Sequence, residues 1–460
     1  MKKVSFLLTA VAFLLLGCDN ENNNQSSEKV KKEVIPYMKQ APEWSKNATI
    51  YEVNLRQFSP EGTFAAFEPE MERLKDMGID ILWFMPIHPI GEKNRKGSLG
   101  SYYSVRDYKA INPEHGTLED FKRVVDKAHS LGMKVIIDWV ANHTAFDNVW
   151  IEAGHTDWYT PDSLGNLQPP IGTDWWDVAD LNYENKEMRA AMIDALKFWI
   201  TECDIDGYRC DVADWVPTDF WNEARAALDE VKPVFMLAEA ENPELHEKAF
   251  DMTYGWHFHF VMNEIYEGKK SVNDIREYLG NKAKEFPEGA YRLHFTSNHD
   301  ENSWKGYTKE RLGESVKTFA VLAATMEGMP LVYNGQEASL AKRLRFFEKD
   351  TIDWSNMELA SFYKELLTLN HNNKALWNGN YGGDIQIISE ESDTTVFAYA
   401  REKEDNKVLC VFNFSGEEKE VKFSDSKADQ YTDLFTKEMV NTDISNAFKL
   451  EPWGYKVLYR

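Results

Sequence analysis

Short apolar runs alternate with amphipathic segments along most of the chain, from about residue 46 to about residue 375. Each run has the length of a β-strand, and each segment between runs places apolar residues at helical spacing. The runs are ATIYEVNLRQF, IDILWFMPI, KVIIDWV, DGYRCDV, PVFMLAEA, DMTYGWHF, YRLHFTSNHD and PLVYNGQE, of which DMTYGWHF has the weakest strand pattern. Strands that alternate with helices indicate parallel βαβ units, so the pattern predicts an α/β fold, a (β/α)₈ TIM barrel.

Two departures from this alternation of strands and helices predict additional structural units. The third and fourth strands lie about twice as far apart as their neighbours, and the segment 145–182 between them is rich in Trp, Asp, Pro and Gly. We expect a small subdomain inserted after strand three of a catalytic barrel over 43–370. Over 375–460, alternating strands follow polar turns without intervening helices, which predicts a C-terminal antiparallel β-sandwich domain.

The N-terminus has the pattern of a targeting segment. Two lysines precede an apolar stretch from Val4 to Leu16 that is too short to span a bilayer and ends in LLGC. This ending resembles a bacterial lipoprotein signal, which implies cleavage after residue 17 and lipid attachment at Cys18. Residues 1–18 are thus the predicted signal, and the polar segment 19–42 is a predicted flexible tether. The chain would be lipid-anchored to a bacterial membrane, facing the periplasm or the cell surface; an ordinary secretory signal is the alternative.

The composition narrows the classes of partner. The chain has 52 Lys and Arg against 76 Asp and Glu, a formal charge of −24, which argues against a nucleic-acid partner. Its 15 Trp and 20 Tyr suit either flat sugar-binding platforms or large packed cores. Cys203, Cys210 and Cys410 are too few and too irregularly spaced for a disulfide framework or a zinc site, and we expect free buried thiols. The oligomeric state is left open.

Polar residues at the strand ends are the candidates for chemistry, because such barrels form their active sites at the C-terminal ends of the strands. These ends carry Asp138, Asn142 and His143 at strand three, Arg209 and Asp211 at strand four, Glu239 and Glu241 at strand five, and His299 and Asp300 at strand seven. Arg209 and Asp211 are two residues apart, so a strand directs both to one face. A structural salt bridge would explain that pair alone, but charges at four strand ends each need a partner.

These segments resemble, in order, the four signature regions of the α-amylase family of glycoside hydrolases. They read DWVANHT, GYRCDVAD, LAEAE and TSNHDEN. GSLGSYYSVRDY (97–108) is similar to the family's loop after strand two, and DVADLN (177–182) is similar to its motif near the end of the inserted subdomain. The resemblance covers about residues 46–460.

The resemblance implies a role for each candidate. Asp211 would be the nucleophile, Glu239 the general acid/base, and Asp300 the third carboxylate, which binds the 2- and 3-hydroxyls of the sugar. Arg209 would keep Asp211 ionised. Two carboxylates with separate tasks indicate a retaining mechanism through a covalent glycosyl-enzyme. Glu241 is predicted on the same strand face as Glu239 and is a competing acid, but the family pattern of a small residue followed by Glu selects Glu239.

The same resemblance supplies substrate-binding residues. His143 and His299 would hydrogen-bond the sugar, Tyr103 would stack under it, and Asp138 would support Arg209. A core aromatic is the alternative for Tyr103. Trp139, Trp215 and Trp304 are either sugar platforms or packed loop residues.

Two departures from the family pattern leave calcium open. The Lys-His pair common three and four residues after the nucleophile is replaced by Asp214 and Trp215. The loop after strand one has no run of alternating carboxylates. Asn142 matches a family calcium ligand, so Ca²⁺ at Asn142 is a possible cofactor and no other is expected.

The expected function is retaining hydrolysis of α-1,4-glucosidic bonds in starch-derived glucans or maltodextrins, the α-glucan oligosaccharide or polysaccharide being the partner. The alternatives are a glucanotransferase or transglycosylase that uses the same intermediate, action on α-1,6 bonds, sucrose or trehalose, and a non-catalytic glucan-binding lipoprotein. The last would be expected to lack Asp211, Glu239 or Asp300, and all of them are present.

Overall fold

A computed structural model describes residues 41–421, 429–442 and 447–460. The predicted signal, Cys18 and nearly all of the predicted tether lie outside these residues. Strands within them are β1 (Ile50–Val53), β2 (Ile81–Phe84), β3 (Lys134–Trp139), β4 (His143–Ala145), β5 (Val178–Asp180), β6 (Gly207–Cys210), β7 (Phe235–Ala238), β8 (Met252–Tyr254), β9 (Tyr291–His294), β10 (Met329–Tyr333), β11 (Gln386–Ile387), β12 (Val396–Lys403), β13 (Asn406–Asn413), β14 (Lys419–Val421), β15 (Asp429–Asp433), β16 (Met439–Thr442), β17 (Phe448–Leu450) and β18 (Tyr455–Tyr459).

The helices carry the amphipathic segments of the sequence. They are α1 (Leu55–Phe58), α2 (Phe64–Phe67), α3 (Met71–Met77), α4 (Leu118–Ser130), α5 (Val149–Glu152), α6 (Lys186–Cys203), α7 (Thr218–Asp229), α8 (Trp256–Tyr266), α9 (Val272–Glu285), α10 (Thr308–Leu312), α11 (Val316–Thr325) and α12 (Ala360–Asn372). In α4, a capping box between Thr117 and Asp120 begins the helix, and Phe121, Val124 and Val125 bury one face. No helix in the described ranges is long and apolar enough to cross a membrane.

Eight parallel strands close into the predicted barrel, in the order β1-β10-β9-β8-β7-β6-β3-β2. Each of the eight apolar runs of the sequence forms one of these strands. The run with the weakest pattern, DMTYGWHF, forms β8. The strands read as continuous apolar runs because helices and the barrel interior bury both of their faces. The predicted fold class is therefore confirmed.

The insertion and the C-terminal domain are also present. β4 and β5 pair antiparallel and bracket the segment inserted between β3 and β6. The C-terminal part holds a six-stranded antiparallel sheet, β11-β12-β13-β18-β15-β16, and a separate β14–β17 pair. Along β12, Val396 and Ala398 belong to a core with the β14–β17 pair, whereas Phe397 and Tyr399 belong to the core of the barrel. This alternation produces the two-layered domain.

Candidate active site

The inward-facing residues near the C-terminal ends of the strands are polar. Below them the barrel interior is apolar, with Ile50, Ile81, Ile136 and Met252 among its side chains. Two residues further along the same strands stand Glu52, Trp83, Asp138 and Tyr254, with Arg209 on β6, and all five are buried. The strand register places Glu52 opposite Trp83 and Asp138 opposite Arg209.

Sequence reasoning missed Glu52, Trp83 and Tyr254. Each follows an apolar inward-facing residue at the strand period of two, and a buried Glu in the run ATIYEVNL was the available signal. Trp83 Nε1 donates to Asp138 at 3.2 Å, and Tyr254 Oη accepts from Arg209 Nε at 3.1 Å. These side chains therefore orient the predicted site residues.

A glycine sets the close approach of β6 to β7. Gly207 has φ 154°, and a Cβ there would lie 1.8 Å from the carbonyl oxygen of Phe235. Only glycine allows this spacing. β6 thereby carries Arg209 and, one residue past its end, Asp211 to the mouth of the barrel.

Arg209 joins the predicted catalytic carboxylates. Its Nη1 donates to Asp138 at 2.8 Å and to Asp211 at 2.9 Å. Its Nη2 lies 3.0 Å from Glu239 Oε2, within ion-pair distance but outside hydrogen-bond geometry. The guanidinium is fully buried, and its planar fork can serve several carboxylates at once. The structure thus places Arg209 against Asp211 and Asp138, the two residues with which the sequence analysis associates it.

A strained turn brings Glu239 close to Asp211. Val212 has φ 36° and ψ 49°, the left-handed region that a β-branched residue rarely adopts. In this conformation its backbone N–H donates to Glu239 Oε2 at 2.8 Å. Strain of this kind costs on the order of 1–3 kcal/mol and persists where the surroundings hold it. Here it orients one carboxylate beside the other.

The two carboxylates share a buried, acidic environment. Burial, followed by the negative charge of Glu239, raises the pKa of Asp211 well above its usual value, and Arg209 opposes this rise. Like charges this close favour one shared proton. Arg209 hydrogen-bonds Asp211 but only approaches Glu239, so its positive charge stabilises the ionised form of Asp211 most directly.

His299 is a second charged group of the site, and three side chains surround it. Its Nδ1 pairs with Glu52, its Nε2 lies 2.6 Å from the hydroxyl of Tyr103, and Asp300 Oδ2 is 3.4 Å away. Burial lowers its pKa, but the charges of Asp300 and Glu52 outweigh burial and raise it to about 9. Tyr103 in turn donates to Asp138 at 3.2 Å. The imidazolium is thus linked through Tyr103 to the partners of Arg209.

His143 is the opposite case. Burial lowers the pKa of His143 to about 3, so its ring is neutral at neutral pH. Asn142 Nδ2 lies 3.2 Å from His143 Nδ1, which makes Nδ1 the acceptor and leaves the N–H on Nε2. His143 is therefore a neutral donor, whereas His299 is a charged one.

These residues open into one cavity of about 490 Å³. Tyr103, His143, Asp211, Glu239 and Asp300 line it, so five predicted site residues share one space. Arg209 and Asp138 lie behind them, fully buried.

Aromatic rings form much of the cavity wall. Trp175 and Trp176 come from the inserted segment, Trp304 from the loop after β9, and Phe346 from the loop after β10. Trp215 is half exposed and stacks on Trp175 at 5.2 Å. A flat, partly exposed ring is suited to the apolar face of a sugar.

The positions of Trp139, Tyr103 and the cysteines bear on the sequence analysis. Trp139 is fully buried against Tyr108, so it is a core residue and not a platform. Tyr103 lines the cavity and stacks on His299 at 5.5 Å. Cys203, Cys210 and Cys410 are free and buried, as predicted.

Glu241 does not share the position of Glu239. We expected both on one strand face, but β7 ends at Ala238 and the chain bends there. Glu241 instead pairs with Arg292 and accepts from the backbone N–H of His257 at 2.8 Å. Glu239 lines the cavity together with Asp211, whereas Glu241 is not among the residues that line it, so the geometry selects Glu239.

The surroundings of Asn142 do not fit calcium. Its backbone carbonyl accepts from the N–H of Leu181 at 3.2 Å, and its side-chain amide contacts His143. Among residues 41–421, 429–442 and 447–460, no group of three or more His, Cys, Asp or Glu is placed to hold a metal ion. Calcium takes six to eight oxygen ligands, commonly with carboxylates among them.

Comparison with known proteins identifies the family. The model of the α-amylase catalytic domain matches residues 45–414, and that of the maltogenic amylase C-terminal domain matches residues 385–457. The α-amylase MalA of Haloarcula japonica is 28% identical over 397 residues; the match covers 82% of this chain and 57% of that protein. The chain thus spans little more than half the length of this relative.

Solved structures agree in fold. An α-amylase from Lactobacillus plantarum is 31% identical with a TM-score of 0.81, and the match covers 91% of this chain and 99% of that one. A maltogenic α-amylase, AmyB, from Thermotoga neapolitana is 32% identical with a TM-score of 0.83, covering 90% and 99%. The family model spans most of the chain, the fold is the same, and the carboxylates of the signature regions meet in one cavity. The chain therefore belongs to the α-amylase family of glycoside hydrolases.

Proposed function

We propose that this protein is a retaining hydrolase of α-1,4-glucosidic bonds in starch-derived glucans or maltodextrins. The observation that carries the proposal is the junction at Arg209, which holds Asp138, Asp211 and Glu239 together at the base of one cavity. A mechanism with two carboxylates needs one ionised and one protonated member. The proposal assigns the ionised role to Asp211, which Arg209 hydrogen-bonds, and the acid role to Glu239.

In the first step, an Asp211 carboxylate oxygen attacks the anomeric carbon as the bond to the leaving oxygen breaks. Glu239 gives its proton to that oxygen, so the leaving sugar departs neutral. The product on the enzyme is a glycosyl ester of Asp211. Arg209 stabilises Asp211 before the attack and the ionised Glu239 after it.

In the second step, water replaces the ester. Glu239 takes a proton from the water as the water oxygen attacks the anomeric carbon, and Asp211 leaves as a carboxylate. Both residues are then back in their starting protonation states. Asp300 and His143 would bind hydroxyl groups of the sugar, His143 as a neutral donor. His299 would do so only by exchanging Tyr103 for the sugar, because Glu52 and Tyr103 engage both of its ring nitrogens.

The substrate class rests on the relatives and the cavity walls. The similar proteins are named as α-amylases and maltogenic amylases, and the aromatic walls suit stacking against glucose rings. We propose that the reaction requires no calcium at Asn142. We propose too, from LLGC alone, that a lipid on Cys18 anchors the protein to a bacterial membrane on its periplasmic or outer face.

The test is a time course of products from maltoheptaose, with and without a chelator. Only shorter maltooligosaccharides are expected, in equal amounts under both conditions, and the Asp211→Asn protein should produce none. Retention of the α-anomer in the first product, read by NMR, checks the stereochemistry.

The other outcomes each contradict a named part. Products longer than maltoheptaose would make the protein a glucanotransferase. Cleavage by Asp211→Asn would remove the nucleophile assignment, and no cleavage by the wild type would contradict the linkage. Loss of cleavage with chelator, restored by Ca²⁺, would contradict the reading of Asn142.

A further inference from the structure

Asp300 has a partner that the proposed mechanism leaves unexplained. Its side chain is about one third exposed, at 36%, and lines the cavity. His299 lies 3.4 Å from Oδ2, and the indole N–H of Trp304 donates to Oδ1 at 3.2 Å. Each carboxylate oxygen therefore has one neighbour that limits rotation of the side chain.

The backbone that places Trp304 there is a π-helical turn. Residues Glu301–Lys305 form it, and its closing bond runs from the N–H of Gly306 to the carbonyl of Glu301 at 2.8 Å. Single π turns are rare in proteins, and those that occur are often found at functional sites. The turn returns the Trp304 side chain to the carboxylate of Asp300, four residues earlier.

Side chains hold the beginning of this turn. Asn298 Oδ1 accepts from the N–H of Glu301 at 2.8 Å. Asn302 donates to the carbonyl of Lys342 at 3.1 Å and accepts from the N–H of Leu344 at 2.8 Å. The turn is thus attached to the loop after β10, so Trp304 approaches Asp300 from a braced backbone.

The ring of Trp304 is not placed by burial alone. It is 50% exposed, and it contacts Phe346 and Phe347 with ring centroids 5.1 and 5.8 Å away. A large aromatic side chain that is half exposed gains only part of the free energy that full burial would provide. Its polar edge, in contrast, has an acceptor in the carboxylate of Asp300.

We propose that Trp304 is a positioning residue, whose indole N–H holds Asp300 in the orientation that faces the cavity. The inference rests on the proposed function, in which Asp300 binds sugar hydroxyls. Trp304 itself touches no reacting atom. A carboxylate held before the sugar arrives need not be ordered during the reaction, so the benefit falls on the transition state.

The experiment compares Trp304→Phe with the wild type on maltoheptaose. Phenylalanine keeps an aromatic ring but lacks the five-membered ring that carries the N–H. We expect kcat to fall about tenfold with KM changed less than about twofold. Trp44→Phe, the same change in a half-buried tryptophan before β1, should alter neither constant. In an Asp300→Asn background, Trp304→Phe should cost less than about twofold further.

Two outcomes overturn the proposal. Full kcat in Trp304→Phe, or equal losses with and without Asp300→Asn, would show that Trp304 does not act through Asp300. A crystal structure of Trp304→Phe gives a readout that needs no substrate: Asp300 is expected in a different or mixed orientation. An unchanged Asp300 there overturns the inference even if maltoheptaose is not a substrate, whereas inactivity of the wild type contradicts only the proposed function.

Discussion

Two buried arginines, one in the barrel and one in the C-terminal domain, have different kinds of hydrogen-bond partner. Arg209, at the mouth of the barrel, contacts three carboxylates. Within the described residues, Arg401, on β12, donates to backbone carbonyls: those of Gly383, Thr325, Met326 and Trp377. Both side chains are almost wholly inaccessible to water.

Burial lowers the pKa of both guanidinium groups, but their neighbours shift the two pKa values in opposite net directions. Negative neighbours, Asp138 and Glu239 first, raise the pKa of Arg209 well above its usual value, whereas that of Arg401 stays lowered. Arg401 instead donates hydrogen bonds to carbonyls at the C-terminal end of α11, where a cation is favoured. Arg401 connects the sheet to the barrel, whereas Arg209 holds carboxylates of the candidate active site together. A buried charge therefore has the role that its partners give it.

The largest effect is expected from Arg209→Met. Asp138 and Asp211 would be left buried without their cation, which should cost about 3–5 kcal/mol of unfolding free energy. kcat should fall by about 10³-fold or more, because Asp211 would no longer be ionised. Denaturant unfolding and steady-state kinetics measure the two. A variant that kept its kcat would contradict the assignment of Arg209.

Arg401→Met separates stability from chemistry. Four buried carbonyls would lose their donor, so the unfolding free energy should fall by about 3 kcal/mol or more. kcat per folded molecule, measured well below the melting temperature, should stay within about twofold of wild type. A large loss of kcat with a normal melting curve would break the comparison, since it would give the sheet junction a part in catalysis.

Glu52→Gln should shift the pH dependence of activity. The raised pKa of His299 means that its charge stabilises the fold fully below about pH 6.5 and that this contribution is lost as pH rises through about 9. Removing one of the two anions that raise this pKa should move the alkaline limb of kcat/KM down by about one unit. Rates from pH 5 to 10 measure it. Glu119→Gln, an exposed change on α4, is the control; an unmoved limb would mean that His299 is not the group titrating.

The smallest effect is expected at the rim. Trp215→Ala removes the ring stacked on Trp175, which should raise KM for maltoheptaose about fivefold, as expected from a stacking contact of about 1 kcal/mol. kcat and the melting temperature should change little, because Trp215 is half exposed. Trp215→Phe, which keeps a ring, is the matched variant. An equal rise in KM in both variants would count against stacking.

Sequence reasoning reached most of the site because its residues lie in short segments whose order and spacing are local. Asp211, Glu239 and Asp300 follow recognisable strands, and the period of two placed Arg209 beside Asp211. It missed Glu52, Trp83 and Tyr254, whose partners lie on other strands, and it placed Glu241 on the face of Glu239. A bend after Ala238 and a pairing with Arg292 decide that point, and neither is encoded near Glu241.

The sequence by itself determined the eight strands, the insertion, the C-terminal sheet and the carboxylates of the site, because period, length and turn residues are properties of neighbouring positions. Only the tertiary structure decided which buried residues orient those carboxylates and which histidine is charged. Barrel closure brings Glu52 on β1 against His299 beyond β9, and the inserted segment brings Trp175 to Trp215. Electrostatics and stacking depend on distances in space, and residues far apart in the chain acquire those distances only when the barrel closes.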